Sequence, residues 1–329
     1  MRKLRRLQMG FATLLGSQPR GFFIPYRYAA QMPRPGERGT YEAVAEIFAA
    51  AEGAFDLWLS RIEEYGEALA AIGGDRPPQP RWEQDWFCGL DAAIAYTIVR
   101  HARPSRIVEI GSGHSTRFMA RAIADARGAE APSWLPVFTA IDPAPRASIE
   151  SLDLTLLRTT VDKAPPTLFR MLQAGDILFL DSSHILMPGS DVDLILNRIL
   201  PALAPGVIVH VHDIFLPDDY PVDWSWRGYN EQLGLVPLLA FGGFRPLFAC
   251  QHLRRIRAAR IGGGALGSLR MPKGPESSLW MLREGLPLPE NDPIRAAARL
   301  RACNSWRPGL YYEVRVRTSN WYEVFQWWI

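Results

Sequence analysis

Apolar residues recur at Val44, Phe48, Ala51, Phe55, Trp58 and Ile62, a three-and-four spacing that predicts an amphipathic helix over 41–69. The stretch Gly73-Gly-Asp-Arg-Pro-Pro-Gln-Pro80 stops it, and a second helix over 89–100 leads onward. Beyond residue 80 the pattern changes. Short apolar runs at 107–110, 137–141, 176–180 and 206–211 alternate with helical patterns, which predicts an α/β fold: a parallel sheet with helices on both faces. The organisation expected is a helical N-terminal extension (1–80), an α/β domain (81–285) and an aromatic-rich C-terminal tail (286–329). The tail carries Trp306, Tyr311, Tyr312, Trp321, Tyr322, Phe325, Trp327 and Trp328. So much apolar surface needs cover, from the α/β domain, a second copy in a homo-oligomer, or an acceptor pocket that the tail helps to wall.

Ligands of such sheets bind beyond the carboxyl ends of the strands, so the residues that follow each run are the candidates. After the first run comes Arg106-Ile-Val-Glu-Ile-Gly-Ser-Gly-His-Ser-Thr116, an acid and a glycine-rich turn opening a helix. Glycines allow close backbone approach, and the helix presents unpaired N–H groups. Glu109 suits a cationic amino-acid ligand better than a pyrophosphate, and Thr116 stands where a dinucleotide fingerprint needs its third glycine. Asp142, before Pro143, is either a ribose acceptor or a turn-forming Asp. Asp162 follows another apolar stretch. Two runs end in Asp181-Ser-Ser-His184 and His210-Val-His-Asp213, where imidazole beside carboxylate suggests a divalent metal or a general base. The alternative is that these side chains cap strand ends and bond neighbouring loops.

Composition and charge narrow the classes. The chain has 329 residues, 48% of them hydrophobic and 22% charged, with a formal charge of +3, which gives no reason to expect nucleic acid as the partner. Arg254, Arg255, Arg257 and Arg260 read as a solvated face. Cys88, Cys250 and Cys303 fit reduced thiols and a cytoplasmic location. The N-terminus begins like a signal peptide, but its apolar part is short and interrupted, so no export signal is read and no transmembrane segment is expected. A frayed, solvated terminus is the main expectation for that segment, and a peripheral membrane contact the alternative.

The motifs Val108-Glu-Ile-Gly-Ser-Gly113, Ile141-Asp-Pro143, Phe179-Leu-Asp-Ser-Ser-His184 and His210-Val-His-Asp-Ile-Phe-Leu-Pro217 resemble the class I S-adenosylmethionine-dependent methyltransferases. Gly21-Phe-Phe-Ile-Pro-Tyr-Arg-Tyr28, Pro188-Gly-Ser-Asp191 and Tyr229-Asn-Glu-Gln232 resemble, more narrowly, a bacterial subgroup of that family. The resemblance runs from about residue 20 to about residue 284.

It implies a Rossmann-like seven-stranded sheet whose last two strands, 244–250 and 278–282, are an antiparallel pair. S-adenosylmethionine is the implied cofactor, held by Glu109, Gly111, Ser112, Gly113 and Ser115 at its methionine end, Asp142 at the ribose, Asp162 at the adenine, with Asp181 beside it. The usual third glycine is replaced by Ser115, which narrows the approach or caps the helix. The second site is similar to metal-dependent O-methyltransferases of the catechol type. Asp181, His212 and Asp213 match its metal positions, with His184 and His210 as further candidates, and imidazole shifts preference from Mg toward Mn or Fe. His184 stands at the family's catalytic lysine position and, with Asp181, is the catalytic candidate, since an ordinary imidazole titrates near ~6.5. Tyr220, Tyr229, Asn230 and Glu231 are expected to meet a small-molecule substrate, methylated at oxygen. Two other functions stay open: iron-dependent oxidation through His210, His212 and a carboxylate, and a binding or scaffold subunit without chemistry.

Overall fold

Strands form where the apolar runs predict them. In the computed structural model, which describes residues 2–16, 20–73, 76–269 and 274–285, they are β1 (Arg106–Ile110), β2 (Val137–Ile141), β3 (Thr155–Leu157), β4 (Ile177–Leu180), β5 (Ile208–Val211), β6 (Phe244–Ala249) and β7 (Leu279–Arg283). Their order is β3-β2-β1-β4-β5-β7-β6. The first five run parallel, and β7 is antiparallel to both neighbours. The central strands are buried nearly throughout, which is why they read as continuous apolar runs rather than alternating ones. The expected tail, 286–329, and Cys303 lie outside the described residues.

The helices in chain order are α1 (Arg2–Leu14), α2 (Glu42–Ala50), α3 (Glu52–Glu64), α4 (Gly66–Ala70), α5 (Gly89–Ala102), α6 (His114–Ala129), α7 (Thr167–Arg170), α8 (Asp191–Leu194), α9 (Leu200–Ala202), α10 (Glu231–Ala240), α11 (Cys250–Ile256) and α12 (Ala258–Gly263). Residues Arg2–Leu14 thus form a helix where a frayed, solvated terminus is expected, although much of that helix is exposed. The single helix expected over 41–69 is three. Its breaks at Ala51 and Tyr65 fall just before Gly53 and Gly66, where helix propensity is weakest. Each break resets the buried face, so Phe55, Leu59 and Ile62 are buried while Ala51 and Trp58 are only partly so.

Val44, Phe48, Phe55, Ile62 and Leu69 belong to the same hydrophobic core as Ile107, Leu178 and Val209 of the sheet. A boundary near residue 80 therefore does not separate two cores, and residues Met1–Gly285 form one unit. The four arginines of 254–260 pair with acids: Arg257 with Glu52 at 2.7 Å, Arg260 with Asp56 at 2.7 Å, Arg254 with Glu276, and Arg255 with Asp218. Two of these pairs fasten α12 and the residue before it to α3.

Candidate active site

The sheet register lines up one residue beyond each of four strands. Ile110 stands opposite Ile141 and Leu180, and Leu180 opposite Val211. The next residues continue the ladder: Gly111 N–H donates to Ile141 O, Asp181 N–H to Ile110 O, His212 N–H to Leu180 O, and Asp142 N–H to Leu157 O, all at 2.8–3.0 Å. Gly111, Asp142, Asp181 and His212 thereby share one edge.

At the β1–α6 turn the polar groups are mutually satisfied. Ser115 Oγ and Thr116 Oγ1 donate to the two oxygens of Glu109 at 2.6 and 2.7 Å, and Gly113 N–H donates to Thr116 Oγ1 at 2.8 Å. Ser112 gives both its N–H and its hydroxyl to Asp142 Oδ2, at 2.9 and 2.7 Å, while Asp142 Oδ1 takes Ala144 N–H at 2.8 Å. Glu109 is fully buried, so its carboxylate meets hydroxyls beneath the turn rather than an open surface. Burial pushes it up to about 8 against the opposing pull of those hydroxyls. Ser115, in place of a glycine, is one of the two side chains that hold it.

The two glycines differ. Gly111 has φ +80, and a Cβ there would stand 2.0 Å from the Asp181 carbonyl oxygen, so glycine is required by the neighbouring chain itself. A Cβ on Gly113 would meet nothing within 4 Å, so space lies open on that side of the turn. Nearby, His114 Nδ1 and Ser182 Oγ are buried without a hydrogen-bond partner among the described residues. Open space beside the N-terminus of α6, flanked by orphaned polar atoms, fits a polar ligand such as S-adenosylmethionine. His114 is a residue that sequence reasoning passed over; burial, then Arg117 and Arg81, push it down to about 4, leaving it neutral. Asp162 is exposed in the short 3-10 turn Val161–Lys163 after β3.

The second cluster centres on His184. Its Nδ1 is 2.9 Å from Glu231 Oε2, and its Nε2 faces Asp181 Oδ1 at 3.3 Å and Asp213 Oδ2 at 3.5 Å. Both His184 (φ +61) and Asp213 (φ +55) have left-handed backbone, a strain that clusters at functional loops. Burial opposes charge on His184, but Asp181 and Glu231 outweigh it and hold the imidazole well above its ordinary value. This changes the expectation for His184, whose partners favour the charged imidazole over the ordinary neutral base. Burial also opposes ionisation of Asp181, yet His212, His184 and His210 hold it at about 2.

The expected metal set does not converge. His212 turns its Nε2 to the Trp86 carbonyl at 3.2 Å, and His210 is fully buried, stacked on Phe179 at 3.6 Å with Nε2 on Ser278 Oγ. Asp213 Oδ1 accepts from Ser277 Oγ at 3.1 Å. Among the described residues no group of three or more His, Cys, Asp or Glu is arranged to hold a metal ion. Metal binding through Asp181, His212 and Asp213 is therefore not supported, and the iron-oxidation alternative loses its ligand set.

Of the expected substrate contacts, Glu231 is buried against His184, and Asn230 braces the loop after β4 through Leu186 N–H at 2.6 Å. Tyr220 is buried, its hydroxyl accepting from Gln232 N–H at 3.3 Å. Tyr229 remains half-buried, its ring 4.6 Å from His184. Sequence reasoning missed Arg227, whose guanidinium lies 3.9 Å over Trp224 and donates to Tyr229 Oη at 3.1 Å, beside Asp213 at 3.8 Å. Its only sequence signal was a cation amid the aromatic run Trp224 to Tyr229.

Residues 108–214 match a family model described as a methyltransferase domain. No curated protein matches the chain. Solved structures with similarity include one assigned as a methyltransferase from Thermobifida fusca, 15% identical, covering 60% of this chain and 83% of that one at a TM-score of 0.28. Another, assigned as a protein-L-isoaspartate O-methyltransferase from Plasmodium falciparum in complex with S-adenosyl-L-homocysteine, is 10% identical, covering 53% and 84% at a TM-score of 0.26. The matched segment begins in β1 and ends just past Asp213, so it holds the β1–α6 turn, Asp142, Asp181, His184, His212 and Asp213, and residues 108–214 are similar to a methyltransferase domain, in line with the resemblance of the motifs to the class I S-adenosylmethionine-dependent enzymes.

Proposed function

We propose that the protein transfers a methyl group from S-adenosylmethionine to a hydroxyl of a small molecule. The observation that carries this reading is the adjacency of two unlike clusters on one sheet edge, an open glycine turn at Gly113 and a charged imidazole–carboxylate group at His184. S-adenosylmethionine supplies the activated methyl group. Gly113, Ser112 and Asp142 frame its amino-acid and ribose ends, and Glu109 acts from beneath by fixing the turn.

The acceptor lies against Asp181, whose side chain is 39% accessible, next to His184 and the Tyr229 ring that packs on it. Most of the acceleration then comes from orientation, holding the acceptor in line with the methyl carbon. His184, aligned by Glu231 through Nδ1, takes the hydroxyl proton from its neutral form. Because the imidazole is held above its ordinary value, turnover rises as pH passes through and above neutrality. The cytoplasmic reading rests on Cys88 and Cys250, both buried and free.

An acceptor screen with labelled S-adenosylmethionine, run on wild type and His184→Gln, tests the reading. Label transferred to a hydroxyl by wild type and not by the variant is the expected result. Transfer to no acceptor, or equal transfer by both proteins, would overturn it.

A further inference from the structure

The first helix carries its apolar face outward. Leu4, Leu7, Phe11 and Leu14 follow a three-four-three spacing that forms one stripe along α1, and they are 64%, 58%, 61% and 59% exposed. Met9, Gly10, Ala12 and Thr13, on other sides of the helix, are the half-buried ones. Thr13 takes the next segment by accepting Arg20 N–H at 2.9 Å, and that segment exposes Phe22, Phe23, Ile24, Tyr26 and Tyr28 in turn. A soluble surface rarely leaves a continuous apolar strip of this kind uncovered.

Charge decides what covers it. The same stretch holds Arg2, Lys3, Arg5, Arg6, Arg20, Arg27 and Arg34, and the first acid in the chain is Glu37. A second copy would bring the same positive charge to the contact. The aromatic tail brings no complement either, because Arg295, Arg299, Arg301, Arg307, Arg315 and Arg317 outnumber Glu290, Asp292, Glu313 and Glu323. A surface that is anionic outside and apolar just beneath satisfies both faces at once.

We propose that α1 and the strip from Phe22 to Tyr28 lay the protein onto an anionic phospholipid bilayer. Thirteen helical residues span about 20 Å, short of the roughly 30 Å hydrocarbon core, so the helix lies in the interface plane. No helix among the described residues is long and apolar enough to cross a membrane. The docked segment is tied to the candidate site by three bonds to the loop after β5: Tyr41 N–H to Pro217 O at 2.8 Å, Thr40 Oγ1 to Asp218 Oδ1 at 2.7 Å, and Arg38 to Asp219 at 2.7 Å. Bilayer contact therefore brings the acceptor loop close to lipid. The inference stands independently of the methyl-transfer reading.

Co-sedimentation of the full chain with vesicles tests it, using phosphatidylcholine alone and phosphatidylcholine doped with phosphatidylserine. The expected result is partition onto the doped vesicles at least about tenfold stronger, weakening as salt is raised. Leu7→Glu with Phe11→Glu changes only exposed positions, so the fold is retained while that partition falls about tenfold or more. Equal partition onto both vesicle types, no partition by wild type, or undiminished partition by the variant would each overturn the proposal. Wild type that stays in solution with vesicles but sediments as an oligomer that the variant dissolves would assign the face to self-association instead.

Discussion

The turn between β1 and α6 and the cluster at the ends of β4 and β5 are neighbours built on opposite plans. In the turn, Glu109, Gly113, Ser115 and Thr116 satisfy one another within seven residues of chain, and the result is a settled local network. In the cluster, beside the local pair His184–Asp181, the partners come from afar: His184 pairs with Glu231, Asp213 with Ser277, His210 with Ser278 and His212 with the carbonyl of Trp86. The difference teaches that the first region is a rigid frame with space beside it, while the second holds charge at strained loop positions, where small changes in partner alter protonation.

The strongest way to break the comparison is at the glycines. Gly111→Ala must displace the Asp181 carbonyl and strain a φ of +80, so a loss of roughly 3 kcal/mol or more is expected in urea unfolding. Gly113→Ala meets open space and is expected to change stability by less than about 1 kcal/mol while weakening S-adenosylmethionine binding. Equal stability losses would remove the distinction between a structural and a ligand-facing glycine.

His184→Gln removes the imidazole but no cofactor contact. Turnover should fall about a hundredfold or more, with the affinity for S-adenosylmethionine within about twofold of wild type by calorimetry. Glu231→Gln sharpens the same point through pH. Glu231 favours the charged imidazole, so its loss lowers the His184 pKa and moves the rising limb of the rate profile to lower pH. A limb that does not move would detach Glu231 from the catalytic group.

The smallest effect is expected within the turn. Glu109 has its folded pKa raised to about 8 from an ordinary value near ~4.3, so its contribution to stability is fully present below about 4.3 and is lost as pH rises through 8. Glu109→Gln mimics the protonated form and should alter stability near neutral pH by no more than about 1 kcal/mol, while flattening its fall between those limits. An undiminished pH dependence in the variant would move the effect to another group.

The same contrast explains what the sequence made legible. The strands and the order of candidate residues were readable because buried parallel strands are continuous apolar runs and their ends are abrupt. The turn was readable because its partners are local, though Glu109 reads as a ligand contact until Ser115 and Thr116 are seen to cover it. The cluster was readable only as a set of residue types. Spacing of two places His210 and His212 on one face, but it cannot show that Phe179 and Ser278 absorb His210 or that the Trp86 carbonyl draws His212 away. Glu231 likewise reads as a substrate contact because its partner, His184, is brought near only by the loop that Asn230 braces. The single helix expected over 41–69 failed because a periodic pattern continues through the weak points before Gly53 and Gly66.

The most direct test of the central claim is calorimetric titration of the protein with S-adenosylmethionine, alongside Gly113→Ala. The account predicts one binding site per chain in wild type and a clear loss of affinity in the variant. No binding by wild type, or equal affinity in both proteins, would contradict it.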